Sequence, residues 1–459
     1  MTVLRRTTIC LIFGAVLLSG CAGYEGTVRE MRTTLLKGDK LGALGHNLKA
    51  LEVDEPDEYP DELDGDISLL LLERAMIKQG LSRFDASAED FKTADKNLEL
   101  LDLQNDTMGS IGKYIFSDDS TKYRAPAYEK LLVNTFNMVN YMALGDFEGA
   151  RVEARRLRVM QKYLQGEESE QAALLDLGSY LAGFAFEASG QMEQALSFYA
   201  DALKDHPYHT LVEPVRRIAS CTGGRDETIE KFIAQNGGSL PQCIPPSNEK
   251  GTVLVIGGVG LAPYKVAKRI PIGAAMVIAG HLIGAEHEPA MQRVMARGLL
   301  TWVNFPVLEP TPLQFNAIQA GVDGKNAHTE LGTNISEKVI AAWDSIKAKL
   351  MAAAIIRMVT RLVAGIATEK AVSEASGSAV GGLLAGLAVQ GTMTAFDTPD
   401  TRSWVTLPHA VYFSRLELSP GKHRISMTYK GINGGDEVVE QEVNIKAGGY
   451  YVVAVNSMR

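Results

Sequence analysis

The chain has 459 residues, of which 46% are hydrophobic and 22% are charged, and its formal net charge is −9 at pH 7. This composition is that of a globular protein, and the length is enough for two or three domains with large cores. Residues 1–250 contain 27 basic and 39 acidic side chains, whereas residues 251–459 contain 19 and 16. The sequence therefore predicts two regions with different surfaces, and it lacks the dense basic face that nucleic-acid binding requires.

The N-terminus has the organisation of a secretory signal. Arg5 and Arg6 precede an apolar run over residues 9–18, and small residues occupy the positions just before Cys21. Basic, apolar and small-residue regions in this order are typical of an exported protein. The apolar run is shorter than the roughly 20 residues that a membrane-spanning helix needs.

The segment Leu18-Ser19-Gly20-Cys21 resembles the lipobox of bacterial lipoproteins. The resemblance implies that residues 1–20 are removed and that Cys21 is acylated, with several acyl chains holding the protein on a membrane. Ala22 stands where an Asp commonly signals inner-membrane retention in such lipoproteins, which implies the periplasmic face of the outer membrane. The alternative is an ordinary signal peptide or N-terminal anchor in which Cys21 occurs by chance.

Two cysteines, Cys221 and Cys243, remain after the signal and the acylated residue are set aside. In an oxidising periplasm they most simply form one disulfide, which would stabilise the fold by about 3 kcal/mol. Two free thiols are the alternative. Because the sequence contains no Cys-x-x-Cys, it supports neither a redox motif nor a zinc ribbon.

Between Tyr24 and about Pro214, apolar residues recur at spacings of three and four, which predicts successive helices. A weaker repeat-like pattern surrounds Gly145. Because one repeat cannot bury its own faces, we predict an α-solenoid over residues 24–215, with an irregular helical bundle as the alternative. The clearest unit has the spacing of a tetratricopeptide repeat, with its small, aromatic and turn positions at Gly183, Phe186, Gly190, Ala195, Tyr199, Ala202 and Pro207.

A different pattern follows residue 250. Residues 251–257 predict a buried strand that ends in a glycine-rich segment; Pro263 stands where a dinucleotide-binding motif needs its third glycine, so we interpret the glycines as a strand end. Residues 272–284 and 377–391 are apolar, with glycines four positions apart, as in closely packed helices inside a protein or in lipid. Both runs are shorter than a spanning helix. A long helix is predicted from Glu337 to about Lys370.

The last sixty residues alternate between apolar and polar side chains, which predicts a small antiparallel β-module. The fold class is therefore α+β. The predicted strands are Ala410–Leu418, Lys422–Lys430, Glu437–Lys446 and Tyr450–Asn456. The predicted domains are a signal peptide (1–20), a helical domain (21–215), a linker with a disulfide loop (216–250), a mixed region (251–395) and the β-module (396–459).

Several of these segments together resemble a functionally uncharacterised family of bacterial outer-membrane lipoproteins with tetratricopeptide-like helical repeats. The resemblance rests on the lipobox, the repeat, and the segments 128–156, 260–265 and 400–408. It implies a fold and a location, and it carries over no catalytic residue. Within the last segment, Trp404 is interpreted as a buried anchor for the β-module, with a binding aromatic as the alternative.

The sequence contains none of the short catalytic motifs of serine hydrolases, zinc proteases or β-lactamase-like enzymes. His281 and His287 are six residues apart, so they do not share a helix face. We therefore predict a protein that is not an enzyme and has no metal or cofactor. An enzyme acting on peptidoglycan is a third possibility behind the two that follow.

The leading hypothesis is a lipid-anchored adaptor whose concave helical groove binds another cell-envelope protein. By the usual geometry of the repeat, first-helix residues such as Tyr180, Phe184 and Glu187 line that groove. The alternative is a structural subunit of a homo-oligomeric assembly at the outer membrane, in which the glycine-rich apolar runs form contacts between subunits or with the membrane.

Overall fold

The computed structural model confirms the α+β class, with helices first and most strands in the C-terminal half. The predicted acylation site Cys21 and nearly all of the apolar run 377–391 lie outside the described residues. The structure describes residues 24–100, 123–164, 175–223, 226–237, 242–243, 249–296, 302–376, 378 and 399–459.

Consecutive helices pack against one another through residue 237. Three-residue turns (37–39, 81–83, 144–146 and 189–191) join four consecutive pairs of helices, and a two-residue parallel strand pair, β1 (Glu99–Leu100) with β2 (Arg124–Ala125), lies between the fourth and fifth helices. The helices are α1 (Tyr24–Leu36), α2 (Lys40–Leu51), α3 (Ile67–Gly80), α4 (Phe84–Asn97), α5 (Ala127–Ala143), α6 (Phe147–Leu164), α7 (Leu175–Ala188), α8 (Met192–Ala202), α9 (Val212–Thr222) and α10 (Glu227–Gln235).

The close packing of α7 on α8 depends on two glycines. Gly190 has a φ of 73°, a left-handed conformation that lets the chain turn between the two helices. Any Cβ atom at Gly183 would overlap the ring of Tyr199 on α8. The two backbones can therefore approach only because position 183 lacks a side chain.

The strands build two four-stranded sheets and one separate hairpin. The inner sheet has the order β12-β3-β9-β8 and the outer sheet the order β11-β10-β6-β7, while β4 pairs with β5. Within these sheets, β12 runs parallel to β3 and the other neighbours are antiparallel. The strands are β3 (Gly251–Val259), β4 (Tyr264–Pro271), β5 (Trp302–Glu309), β6 (Phe315–Val322), β7 (Lys325–Asn326), β8 (Glu330–Asn334), β9 (Ala410–Leu418), β10 (Gly421–Gly431), β11 (Glu437–Ile445) and β12 (Tyr450–Asn456).

The four strands predicted in the last sixty residues are all present, with ends that differ from the prediction by at most one residue. They do not share one sheet. Strands β9 and β12 flank β3, and β10 and β11 extend the sheet of β6. Strand β3 is central because its apolar residues are buried on both faces.

The inner sheet separates two hydrophobic cores. Leu254 and Ile256 of β3 face the helices, whereas Val253 and Val255 face the outer sheet, as the two-residue period of a strand requires. The first core therefore contains helical residues and one face of the inner sheet together. The second core fills the space between the two sheets.

A third core belongs to a separate part of the molecule, which we call the arm. The arm consists of the β4–β5 hairpin, α11 (Ile272–Ala279), α12 (Glu288–Ala296) and α13 (Ile335–Ser376). Helix α13 has 42 residues, so it is about 63 Å long. Its start is capped by Asn334, whose Oδ1 accepts a hydrogen bond from the Glu337 N–H at 3.2 Å.

Helix α13 is long and apolar enough to cross a bilayer by length and composition alone. More than half of its most apolar stretch is buried inside the protein, as in the core helix of a soluble protein. The length and composition of α13 are therefore weak evidence for a membrane span.

Candidate interaction site

The residues predicted to line an open groove are buried. Tyr180, Phe184 and Glu187 lie on α7, and their side chains face the inner sheet of the same chain. The Tyr180 ring stacks on Phe413 of β9 with ring centroids 4.3 Å apart, and the Phe184 ring meets Tyr450 of β12 at 5.7 Å. The expectation of an exposed groove is thus corrected, because the protein's own strands occupy that face of α7.

A buried ion pair joins α7 to the sheet. Arg415 of β9 donates two hydrogen bonds to Glu187, with Nη2 2.6 Å from Oε1 and Nη1 3.1 Å from Oε2. Arg217 of α9 and the hydroxyl groups of Tyr199 and Tyr450 also donate to Glu187. Burial acts to raise the pKa of Glu187, but the charges of Arg415 and Arg217 outweigh it and hold that pKa below its ordinary value.

The helices and the inner sheet are also connected by residues 399–409, which we call the inserted segment. This segment comes just before β9 in the chain and packs among the helices. Trp404 is buried in it, with its ring edge-on to Phe91 of α4 and Phe136 of α5 at centroid distances of 5.9 and 6.3 Å. The tryptophan is therefore a buried anchor, as predicted, and the layer that it enters is helical.

Two buried carboxylates bind the backbone of the inserted segment. Glu73 of α3 accepts from the N–H groups of Val405 and Thr406, both at 2.9 Å, and from the hydroxyl of Tyr24 at 2.8 Å. Glu129 of α5 accepts from the Trp404 N–H at 3.2 Å. Glu73 therefore binds two consecutive N–H groups of a turn, and the bound backbone belongs to the chain itself.

Burial dominates the titration of both carboxylates. It raises the pKa of Glu73 to about 7, although the hydrogen bonds from Thr406, Val405 and Tyr24 act in the opposite direction. Burial also raises the pKa of Glu129 above its ordinary value. Raised carboxyl pKa values are common in active sites, but both groups here are occupied by donors of the same chain.

A third set of polar contacts connects the inserted segment to the base of the arm. Arg402 is buried and makes a bidentate pair with Asp400, at 2.9 and 2.8 Å, and a contact of 3.2 Å with Asp66. The Nζ of Lys265 on β4 donates to the Arg402 carbonyl oxygen at 2.9 Å. The Arg32 guanidinium of α1 lies over the Tyr264 ring, 3.1 Å from its centroid.

The far end of the arm, which we call the tip, exposes large apolar side chains. It comprises Pro271, α11, Met295 and Trp302, and Pro271 pairs directly with Trp302 across the hairpin. Val277 is 86% exposed, Trp302 53% and Met295 49%. Helix α11 has no charged residue, so the tip presents a largely apolar surface.

The remaining predicted sites have simple outcomes. Cys221 and Cys243 lie at disulfide distance, with Cα atoms 4.6 Å apart, which agrees with the predicted pairing. Across the described ranges, no group of three His, Cys, Asp or Glu side chains is arranged to hold a metal ion. An open polar depression of about 440 Å³ on the outer sheet contains His423, whose Nδ1 lies 2.7 Å from Asp323.

Comparison of the chain with protein-family models, with curated proteins and with solved structures gives no match.

Proposed function

We propose that this chain is a lipid-anchored scaffold protein on the periplasmic face of the outer membrane, acting as the structural subunit of a homo-oligomeric assembly. The observation that carries this choice is the covering of α7 by β9 and β12. A groove that already holds the chain's own sheet has no room for the segment of another protein. The exposed apolar tip of the arm is a separate surface, of the kind that such a subunit can hold against the membrane.

A non-enzymatic role is supported by the state of the buried polar groups. Glu73, Glu129 and Glu187 are buried carboxylates on the helices that bind the inserted segment or the inner sheet, and each accepts several hydrogen bonds from the chain itself. These contacts hold the helices and the sheet together. Their hydrogen-bonding capacity is used by the fold, which leaves little for a substrate.

We further infer that α7 and α8 form a tetratricopeptide-like hairpin within an α-solenoid, as in the lipoprotein family that the sequence resembles. The absence of a side chain at Gly183, the left-handed turn at Gly190 and the buried Ala195 support this assignment. The predicted acylation of Cys21 and the outer-membrane location rest on the lipobox and on the residue that follows it.

The adaptor remains the second candidate, because one helix exposes a row of apolar side chains away from the filled groove. Val152, Val159 and Tyr163 of α6 are exposed at spacings of seven and four residues, which places them on one helix face. An adaptor role would then use this face of α6 to bind an envelope protein.

The mass of the acylated full-length protein in mild detergent tests the proposal. Light scattering, with the detergent contribution subtracted, is expected to give one closed homo-oligomer, and intact mass spectrometry of the same sample is expected to show acyl chains on Cys21. A Cys21→Ser variant controls for association caused by lipid alone. A monomer would contradict the assembly, and a monomer carrying a different protein in fixed ratio would support the adaptor instead.

A further inference from the structure

We propose that the tip of the arm lies in the headgroup region of the membrane that holds the lipid anchor, with α11 and Trp302 as the inserted elements. The inference deepens the proposed function and rests on it for the position of the anchor. Its occupant is a lipid bilayer surface rather than a second protein.

The predicted anchor holds the start of α1 near the membrane. Only two residues separate Cys21 from Tyr24, so an acylated Cys21 lies within roughly 10 Å of the first described residue. Tyr24 is buried, and its hydroxyl is hydrogen-bonded to Glu73. The membrane surface is therefore held close to one defined place on the folded body, the start of α1.

Contacts of α1 and of the inserted segment with β4 connect the start of α1 to the arm. Helix α1 touches the base of β4 directly through Arg32 and Tyr264. The inserted segment, whose N–H groups bind Glu73 beside Tyr24, also binds Lys265 of β4 through Arg402. The base of the arm is thus part of the same body that the anchor holds against the membrane.

The length of β4 sets how far the arm extends from its base. Strand β4 has eight residues, so it extends about 24 Å from Tyr264 to Pro271. The tip therefore lies within about 24 Å of the base of the arm, which contacts the helix that follows the predicted anchor. Helix α11 has eight residues and is about 12 Å long, which suits a helix within the interface and is too short for a span.

The side chains of the tip are of the kinds that bind at a membrane interface. Tryptophan favours the membrane interface because its ring is apolar and its N–H can bond to water or headgroups. Val277 supplies exposed apolar surface on α11, whereas Ala275 and Ala279 of the same helix face the core of the arm. The exposed charged residues nearest in sequence are of both signs, with Arg269 on β4, Glu286 just before α12 and Glu288 at the start of α12. An exposed valine and tryptophan at the end of a projection suit the interfacial region of a bilayer, where apolar side chains and tryptophan rings bind.

The test uses the full mature chain with Cys21→Ser, so that any binding to vesicles comes from the protein surface. The chain has three tryptophans, and Trp343 and Trp404 are buried. Vesicles of phosphatidylethanolamine and phosphatidylglycerol with brominated acyl chains are expected to quench part of the fluorescence. That part is expected to disappear when Trp302→Phe is added. Absence of quenching, or quenching that survives Trp302→Phe, would overturn the inference.

A matched pair of substitutions checks the surface. Val277→Asp is expected to weaken vesicle binding about tenfold, whereas Val159→Asp, at an equally apolar and 69% exposed position on α6, is expected to leave it unchanged. Equal weakening by both variants would contradict a specific role for the tip. So would a shift of Trp302 emission with protein concentration in the absence of vesicles, because a second copy would then cover the tip.

The failures of the two proposals can be told apart. If the wild-type protein assembles and carries lipid but Trp302 is not quenched, the tip inference fails and the proposed function stands. If Cys21 carries no lipid but the Cys21→Ser chain still binds vesicles through Val277, the proposed anchor fails and the tip is a membrane-binding surface by itself.

Discussion

Glu73 and Glu187 are both completely buried, and their neighbours move their pKa values in opposite directions. Glu187 faces two guanidinium groups, so its charged form is favoured despite burial. Glu73 faces only neutral donors, so burial dominates and its pKa rises. Glu187 therefore stabilises the fold through its charge, whereas Glu73 stabilises it through neutral hydrogen bonds.

This difference predicts how stability depends on pH. In the folded protein Glu73 keeps its proton up to pH about 7, whereas the unfolded chain loses it near the ordinary value of 4.5. The resulting stabilisation is complete below the unfolded pKa and is lost as pH rises through the folded pKa. We expect Glu73 to lower the free energy of unfolding by about 3 kcal/mol between pH 4.5 and about pH 8.

Denaturant unfolding of the wild type and of Glu73→Gln, compared at several pH values, measures this contribution. The amide cannot titrate, so the variant is expected to lack the Glu73 part of the pH dependence whatever its absolute stability. Glu187 does not confuse the comparison, because its lowered pKa places its own loss of stability at more acidic pH. Parallel pH profiles for the two proteins would contradict the raised pKa of Glu73.

At the scale of elements, the contact between α7 and α8 predicts the effect of a single methyl group. Gly183→Ala is expected to lower the free energy of unfolding by about 1 to 3 kcal/mol, because the new Cβ overlaps the Tyr199 ring and forces the helices apart. Gly45→Ala on α2 is the matched control. Its Cβ meets no neighbouring atom, so the variant is expected to be more stable by up to about 1 kcal/mol.

Thermal and denaturant melts of both variants give the comparison. Similar gains in stability for Gly183→Ala and Gly45→Ala would mean that α7 and α8 do not pack as closely as described. Since both substitutions remove the same backbone freedom from the unfolded chain, their difference reports the steric contact alone.

The sequence predicted the elements better than it predicted their partners. Alternation and glycine turns located β9 and β12, because those signals lie within each strand. The pairing of both strands with β3 depends on residues about 150 to 200 positions away, and no local pattern records it. The uninterrupted apolar run of residues 251–257 did indicate a buried strand, and the structure shows that β3 is buried on both faces, as a central strand is.

The candidate site shows the same limit. The repeat spacing placed Tyr180, Phe184 and Glu187 on one face of a helix, and they do share one. The side chains that cover this face belong to Phe413 and Arg415, which lie more than 200 residues further along the chain. The two-residue spacing of Phe413 and Arg415 put both on one side of a predicted strand, but it could not identify the helix that they meet.

At the scale of the whole molecule, the helices and the inner sheet form one body. The first core contains side chains from both, and the inserted segment adds buried polar contacts between them. The arm has its own core and joins this body at the base of β4 and the start of α13. Such an architecture separates the main body from an apolar projection, and the proposed membrane-bound subunit would use both.

The covering of α7 by the inner sheet is the central claim, and the reactivity of a cysteine placed at Phe184 tests it most directly. The measurement is the rate of maleimide labelling of Phe184→Cys in the native mature chain, which lacks Cys10, in a Cys21→Ser background where Cys221 and Cys243 are paired. Val159→Cys on the exposed face of α6 is the control, and a cooperative melt verifies that each variant is folded. We expect Val159→Cys to react at once and Phe184→Cys to react only as the protein unfolds. Labelling of native Phe184→Cys at the rate of the control would show an open groove and would contradict the claim.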